Sequence, residues 1–228
     1  MVIKGLQKLT LLDYPGKIAA TVFLGGCNFR CPFCHNGSLV LGDGAEGISE
    51  GELFAFLESR RGKLGGVCIS GGEPTLYKEL PELIVKIKEM GFAVKLDTNG
   101  TNPKMIKELV AAGLVDYIAM DIKSSPAGYA RASGISGLDL SAVSESVDFL
   151  LSGAVEYEFR TTVVRELHTK EDFLEIGRWI RGARAYFLQP YKDSEDVIEH
   201  GFSSYSEAEI SALLDVVFAY VPNAQIRG

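Results

Sequence analysis

The sequence predicts an α/β fold built around a parallel sheet, and two regularities carry that expectation. Short β-branched or apolar runs, at 19–24, 66–70, 92–97, 117–122, 156–164 and 185–189, alternate with stretches whose apolar residues recur at helical spacing. Those stretches also carry helix start and stop signals. Strands that alternate with helices imply a parallel sheet joined by right-handed crossovers. Six such units fit an open doubly wound sheet or a barrel, and periodicity alone does not choose between them.

Taken in chain order, residues 1–18 form an extension before the first strand of the alternating pattern. Ser49 with Glu52 has the spacing of a capping box, and so does Ser206 with Glu209. Gly91 and Gly113 follow Met90 and Ala112, where a helix C-terminus takes a left-handed residue. Asn102 followed by Pro103 reads as an N-cap and first helical residue. At 228 residues, the whole span 1–228 reads as a single domain.

Composition narrows the function. Hydrophobic residues make up 46% and charged residues 23%, an ordinary globular balance. The net charge is −7 and no basic run stands out, which disfavours a nucleic-acid partner. No stretch is long and apolar enough to span a bilayer, so no membrane partner is expected. Residues 1–14 lack the apolar core of a signal peptide, so a cytoplasmic location is expected.

In both candidate architectures, ligands bind beyond the carboxyl ends of the strands. The first such segment holds Cys27, Cys31 and Cys34, three of the four cysteines, in the spacing Cys-x3-Cys-x2-Cys. Clustered cysteines in a chain without a leader point to metal or redox chemistry rather than a disulfide scaffold. Zinc would need a fourth ligand, and adjacent Cys34 and His35 would crowd a tetrahedron. A c-type haem or a thioredoxin-like dithiol would use Cys31 and Cys34 and leave Cys27 idle. Purely structural cysteines fit poorly with a tight, glycine-flanked loop. An iron–sulfur cubane uses all three, but normally takes four thiolates. Cys68 lies within the run 66–70, where a buried small hydrophobe is the expected role. One iron would then lack a protein ligand, and an open coordination site suggests chemistry.

This spacing, with Phe33 before the last cysteine, is similar to the signature of the radical SAM superfamily. Other pieces follow in order: Gly71-Gly72-Glu73-Pro74 resembles its "GGE" motif. Asp97-Thr98-Asn99-Gly100, Asp121-Ile122-Lys123, Cys34-His35-Asn36 and Asp13-Tyr14-Pro15-Gly16 resemble motifs of the activating enzymes of glycyl radical enzymes. The nearest group resembles the activating proteins of anaerobic ribonucleoside-triphosphate reductase, with pyruvate formate-lyase activases close by. The resemblance runs from about residue 8 to residue 191.

The resemblance implies a partial (β/α)6 barrel of the radical SAM type, one [4Fe–4S] cluster, and S-adenosylmethionine (SAM) as cosubstrate. It implies that Cys27, Cys31 and Cys34 bind the cluster. Phe33, His35, Asn36, Gly71, Gly72, Glu73, Asp97, Lys123, Arg160 and Gln189 would then surround SAM. Gly71 and Gly72 would let backbone approach the ligand, and Glu73 would accept from its ammonium. Asp97 and Asp121 would hold a monovalent cation, since neighbouring carboxylates repel without a cation between them. Asp13 and Tyr14 would meet a protein partner at the barrel mouth. That partner would be a glycyl radical enzyme, with flavodoxin or ferredoxin as electron donor. Gln189-Pro190-Tyr191-Lys192 departs from pyruvate formate-lyase activases, which carry histidine at the place of Lys192. His168 and His200 are expected on surface loops. Two other functions share the motifs: a small-molecule enzyme resembling deazaguanine synthases, and a non-catalytic electron carrier.

Overall fold

The computed structural model describes residues 1–42 and 47–228. Eight strands form one sheet: β1 (Ile3–Thr10), β2 (Ala19–Leu24), β3 (Gly66–Gly71), β4 (Ala93–Thr98), β5 (Tyr117–Asp121), β6 (Glu156–Val163), β7 (Tyr186–Pro190) and β8 (Ala224–Ile226). Their spatial order follows the chain, and the sheet is open, with β1 and β8 at its edges. β1 is antiparallel to β2, and each later pair is parallel. Between them run α1 (Gly37–Leu41), α2 (Glu50–Glu58), α3 (Leu80–Glu89), α4 (Pro103–Ala111), α5 (Tyr129–Ser133), α6 (Ser141–Leu151) and α7 (Lys170–Trp179), with α8 (Glu207–Phe218) before β8. No helix among the described residues is long and apolar enough to cross a membrane.

The six strands read from the sequence are β2–β7, with ends that differ by a residue at most. The expected caps form as well. Ser49–Glu52 and Ser206–Glu209 are reciprocal capping boxes, and the Asn102 side chain accepts from the Met105 N–H. Thr169–Asp172 forms a third box at the start of α7.

Strand periodicity divides the sheet into two faces. Val67, Ile69, Val94, Leu96, Ile118, Met120, Tyr157, Phe159 and Leu188 are buried in the hydrophobic core. The alternate residues include Cys68, Ser70, Lys95, Asp97, Tyr117, Asp121, Glu158 and Arg160, which form a polar inner face. The partial six-unit barrel that the resemblance implies is present as an open sheet, extended by one strand at each edge.

Both edge strands were missed in the sequence. β1 reads Ile-Lys-Gly-Leu-Gln-Lys-Leu-Thr, without alternation and with lysines that suit a solvent-facing edge. β8 has only three residues.

β1 also corrects the placement of Asp13 and Tyr14. It leaves Thr10 opposite Ala19, at the amino-terminal ends of the parallel strands. The loop after it therefore crosses the base of the barrel, not the mouth. Tyr14 is 2% exposed and its ring lies 6.1 Å from that of Tyr117. Asp13 Oδ2 accepts from Thr21 Oγ1 at 2.5 Å. The two residues plug the base from the amino-terminal side. Arg227 plugs it from the other end of the chain, with bonds of 2.8 and 2.9 Å to the fully buried Glu158.

A base plug and a partner contact respond differently to mutation. Tyr14→Ala should lower the unfolding free energy by about 3 kcal/mol, read from urea denaturation. Affinity for SAM, which the resemblance implies at the distant mouth, should change little. A lost partner response with unchanged stability would return this loop to the interface.

Candidate active site at the mouth of the barrel

A cavity of about 240 Å³ opens at the carboxyl ends of the parallel strands. Cys27, Cys31, Phe33, Cys34, His35 and Asn36 form one wall, from the loop after β2. Gly71, Gly72, Asp97, Asp121, Lys123, Arg160 and Gln189 come to it from β3 to β7. The fold thus gathers most of the expected site residues around one space. Glu73, Asp13 and Tyr14 do not line it.

The cysteine loop is folded by its own polar contacts. Arg30 Nη1 donates to the carbonyls of Cys27 and Phe29 at 2.6 and 2.7 Å. The Cys34 N–H closes a turn onto the Cys31 carbonyl at 3.0 Å. Cys27 Sγ accepts from the Phe29 N–H at 3.3 Å. Burial raises the Cys27 thiol pKa, an effect this bond offsets in part. Burial pushes the Cys31 thiol up to about 12 against the pull of Lys123. His35 donates from Nε2 to the Lys192 carbonyl and stacks on Tyr191, ring centroids 5.4 Å apart. Lys192 therefore serves this wall through its backbone.

Gly71 and Gly72 are required by the protein itself. A Cβ at Gly72 would lie 1.8 Å from the Gly26 carbonyl oxygen, and one at Gly71, where φ is +119°, 2.2 Å from the Leu24 oxygen. The turn after β3 is pressed against the cysteine loop, with Glu73 N–H donating to Gly26 O at 2.8 Å. The glycines allow loop-on-loop packing before any ligand approach.

Glu73 departs from its expected role. Its Oε1 accepts from Thr75 N, Thr75 Oγ1 and Thr98 Oγ1, and its Oε2 from Asn99 N at 2.6 Å. Its carboxylate is buried, with both oxygens used on the chain. It ties the loop after β3 to the loop after β4. Burial raises its pKa against these four donors.

Arg160 joins the two aspartates. Its Nε donates to Asp121 Oδ1 at 2.9 Å, and its Nη1 lies 3.4 Å from Asp97 Oδ2. Lys123 Nζ holds the other Asp121 oxygen at 3.0 Å, while Lys95 pairs with Asp97 Oδ1. Burial opposes ionisation of both carboxyls, but the cations outweigh it. Asp121 is held down to about 2 and Asp97 is held below the usual range.

The sequence reading missed several groups in the cavity wall. Ser70 and Thr162 lie one strand repeat from Cys68 and Arg160, so period-two reading outward from those residues would have found them. Asn99 lines the cavity and donates to Asn28 Oδ1 at 2.8 Å. His168 is a correction: it is fully buried, not on the surface. Its Nε2 donates to the Lys123 carbonyl at 2.8 Å, and its Nδ1 accepts from the Val164 N–H at 3.0 Å. Burial lowers its pKa, so it stands as a neutral brace behind Lys123.

The description Radical SAM superfamily matches residues 21–180. A Methanocaldococcus jannaschii protein, provisionally named a glycyl-radical enzyme activating enzyme, is 33% identical over 99% of this chain and 95% of its own. The pyruvate formate-lyase-activating enzyme of Clostridium pasteurianum is 34% identical over 53% of this chain and 52% of its own. Among solved structures, Streptococcus suis SuiB bound to precursor peptide SuiA superimposes with a TM-score of 0.72. That likeness, at 14% identity, covers 91% of this chain and 48% of SuiB and shows a shared fold. The chain belongs to the radical SAM superfamily, whose members use a [4Fe–4S] cluster and SAM.

The donor set fits such a cluster. Cys27, Cys31 and Cys34 line one cavity wall, and thiolates are the ligands that an iron–sulfur cluster takes. Cys68 is fully buried beneath the cavity, where its Sγ lies 3.8 Å from Lys95 Nζ.

Replacing Cys27, Cys31 or Cys34 by Ala should remove the cluster absorbance of the reconstituted protein. Cys68→Ala should keep it, with a stability loss of about 1 kcal/mol. Glu73→Gln places an amide N–H₂ among four donors and should cost about 1–3 kcal/mol in urea denaturation. For Asp121 the depressed pKa fixes the sign of the pH effect. Its contribution to stability is complete above its unfolded value, about 3.9, and is lost as pH falls toward about 2. Wild type and Asp121→Asn should therefore converge in urea midpoint across that window.

Proposed function

We propose that this radical SAM protein is an activating enzyme that takes a hydrogen atom from a backbone glycine Cα of a partner glycyl radical enzyme. The motif pattern favours anaerobic ribonucleotide reductase as that partner, with pyruvate formate-lyase the neighbouring choice. One observation carries the chemistry. The three-thiol loop and the Asp97–Arg160–Asp121–Lys123 array open onto the same cavity. The near full-length likeness to the M. jannaschii protein supports the kind of substrate.

A [4Fe–4S] cluster held by Cys27, Cys31 and Cys34 would supply the electron for reductive cleavage of SAM, and SAM would supply the radical that abstracts hydrogen. The chain's own residues hold and shield the reactants. Cys27, Cys31 and Cys34 would hold three irons. Lys123 and Arg160 offer positive charge toward the SAM carboxylate, and Asp97 and Asp121 hold those cations in fixed directions. Asn36 is steadied by its bond to the Gly71 carbonyl at 3.2 Å, and Gln189 closes the far side of the cavity. Phe33 is 3% exposed, with its ring edge against His168 at 6.3 Å, and gives an apolar wall that excludes water.

A glycine target suits a recessed site, because its backbone can enter without a side chain in the way. Gly26, Asn28 and Arg30 bring the cysteine loop to the surface. A low-potential flavodoxin or ferredoxin docked there would lie near the cluster.

The test is anaerobic incubation of the reconstituted protein with SAM, reductant and each candidate glycyl radical enzyme, followed by EPR. A glycyl doublet should appear with one partner and vanish with Cys31→Ala. SAM cleavage without a doublet from any partner would favour a small-molecule substrate. Failure to cleave SAM at all would favour electron transfer.

A further inference from the structure

The surroundings of Asp97 and Asp121 do not fit the monovalent cation that the resemblance implies. Asp97 Oδ1 is paired with Lys95, and Oδ2 accepts from Ser70 Oγ at 2.9 Å and faces Arg160 Nη1 at 3.4 Å. Asp121 Oδ1 takes Arg160 Nε at 2.9 Å, and Oδ2 takes Lys123 Nζ at 3.0 Å. Every carboxylate oxygen therefore already faces a cation. Three cations surround two carboxylates, so another positive ion would meet net repulsion.

Lys95 is the unexpected member of this set. It lies within β4, two residues before Asp97 on the same face, with its side chain only 1% exposed. Its partners in register are Cys68 on β3 and Tyr117 on β5. A buried ammonium is costly to desolvate, and an apolar side chain would fill the place more cheaply. Lys95 lies outside the cavity lining, so it does not touch a ligand there. Its charge falls on Asp97 from below. Without it, Asp97 would keep the Ser70 hydroxyl and, as its one cation, an Arg160 guanidinium shared with Asp121.

We infer that Lys95 is a built-in counter-cation. Its ammonium on Asp97 replaces a bound alkali ion, keeps Arg160 and Lys123 directed at the cavity, and frees SAM binding from Na⁺ or K⁺. It is a positioning residue, and the inference rests on reading this cavity as the SAM site.

The test uses the full-length, anaerobically reconstituted protein in NaCl, KCl or choline chloride at equal ionic strength. Tm is measured without SAM, and SAM affinity by equilibrium dialysis. For wild type, Tm should match in the three salts and SAM affinity should vary by less than about twofold. Lys95→Met should bind SAM about tenfold more weakly in choline chloride, and NaCl or KCl should restore affinity and raise Tm. Lys95→Arg, which keeps the charge, should remain independent of the salt cation. A wild type whose Tm or SAM affinity requires Na⁺ or K⁺ would overturn the inference. So would Lys95→Met behaving like wild type in all three salts. If Lys95→Met does not fold, wild type and Lys95→Arg still decide. The Tm arm contains neither SAM nor a partner, so it remains readable if the proposed activity fails.

Discussion

A guanidinium held between two carboxylates is the contact on which the barrel mouth depends. Arg160 starts on β6, pairs with Asp121 on β5 and reaches Asp97 on β4. The register places Ala119 opposite both Asp97 and Glu158, so a small side chain lies along that path. Three strands are thereby joined by charge as well as by their ladder. Removing either sign would leave buried charge unpaired, a larger penalty than the pair's net gain. The arrangement is therefore better read as fixing geometry than as adding stability. What it fixes is the direction of the groups that face the cavity.

The two ends of the inner face show what distinguishes a site from a plug. At the base, Glu158 is matched by Arg227 and by Tyr117 Oη at 2.9 Å, and Asp13 is matched by Thr21. Tyr14 fills the remaining space, and the polar groups there are spent on one another. At the mouth the matching is incomplete: one positive charge is left over, and three thiols face open space. The loops around that space are held from behind. Glu73 ties two of them, His168 holds the Lys123 carbonyl, and Asp196 accepts from Ser38 N and Oγ at 2.9 Å beside the cysteine loop. The cavity face can stay open because the loops around it are held by bonds to the chain behind them.

Much of this was legible in local patterns. Strand positions followed from apolar runs bounded by cap residues, because a parallel strand buried by helices needs a near-continuous apolar sequence. The cavity wall followed from one rule, that side chains just past strand ends meet at the mouth. Failures came where local pattern carries no information about tertiary placement. Asp13 and Tyr14 were sent to the wrong end because a motif resemblance outweighed chain geometry: they lead into β2, which sets them at the amino-terminal ends of the parallel strands. Glu73 follows two glycines in a cavity-lining turn, yet its side chain turns back into the chain. His168 looks like any loop histidine until the Lys123 carbonyl is brought beside it. Lys95 is the hardest case, since a lysine in an apolar strand reads as a defect until its carboxylate is found two residues away.

The leftover charge and the missing thiolate bear on one another. A cubane held by Cys27, Cys31 and Cys34 would leave one iron without a protein ligand, and Lys123 and Arg160 would offer positive charge to an anion in the same cavity. A neutral ligand could satisfy the iron alone, and a simple anion could satisfy the charge without reacting. A group that presents an amine and a carboxylate on one carbon meets both needs from a single position. The methionine end of SAM has that form. Lys95 meets Asp97 from beneath the cavity and does not line it, whereas Arg160 and Lys123 do. The inner face thus places one buried ammonium on Asp97 while the guanidinium and the second ammonium line the cavity above it.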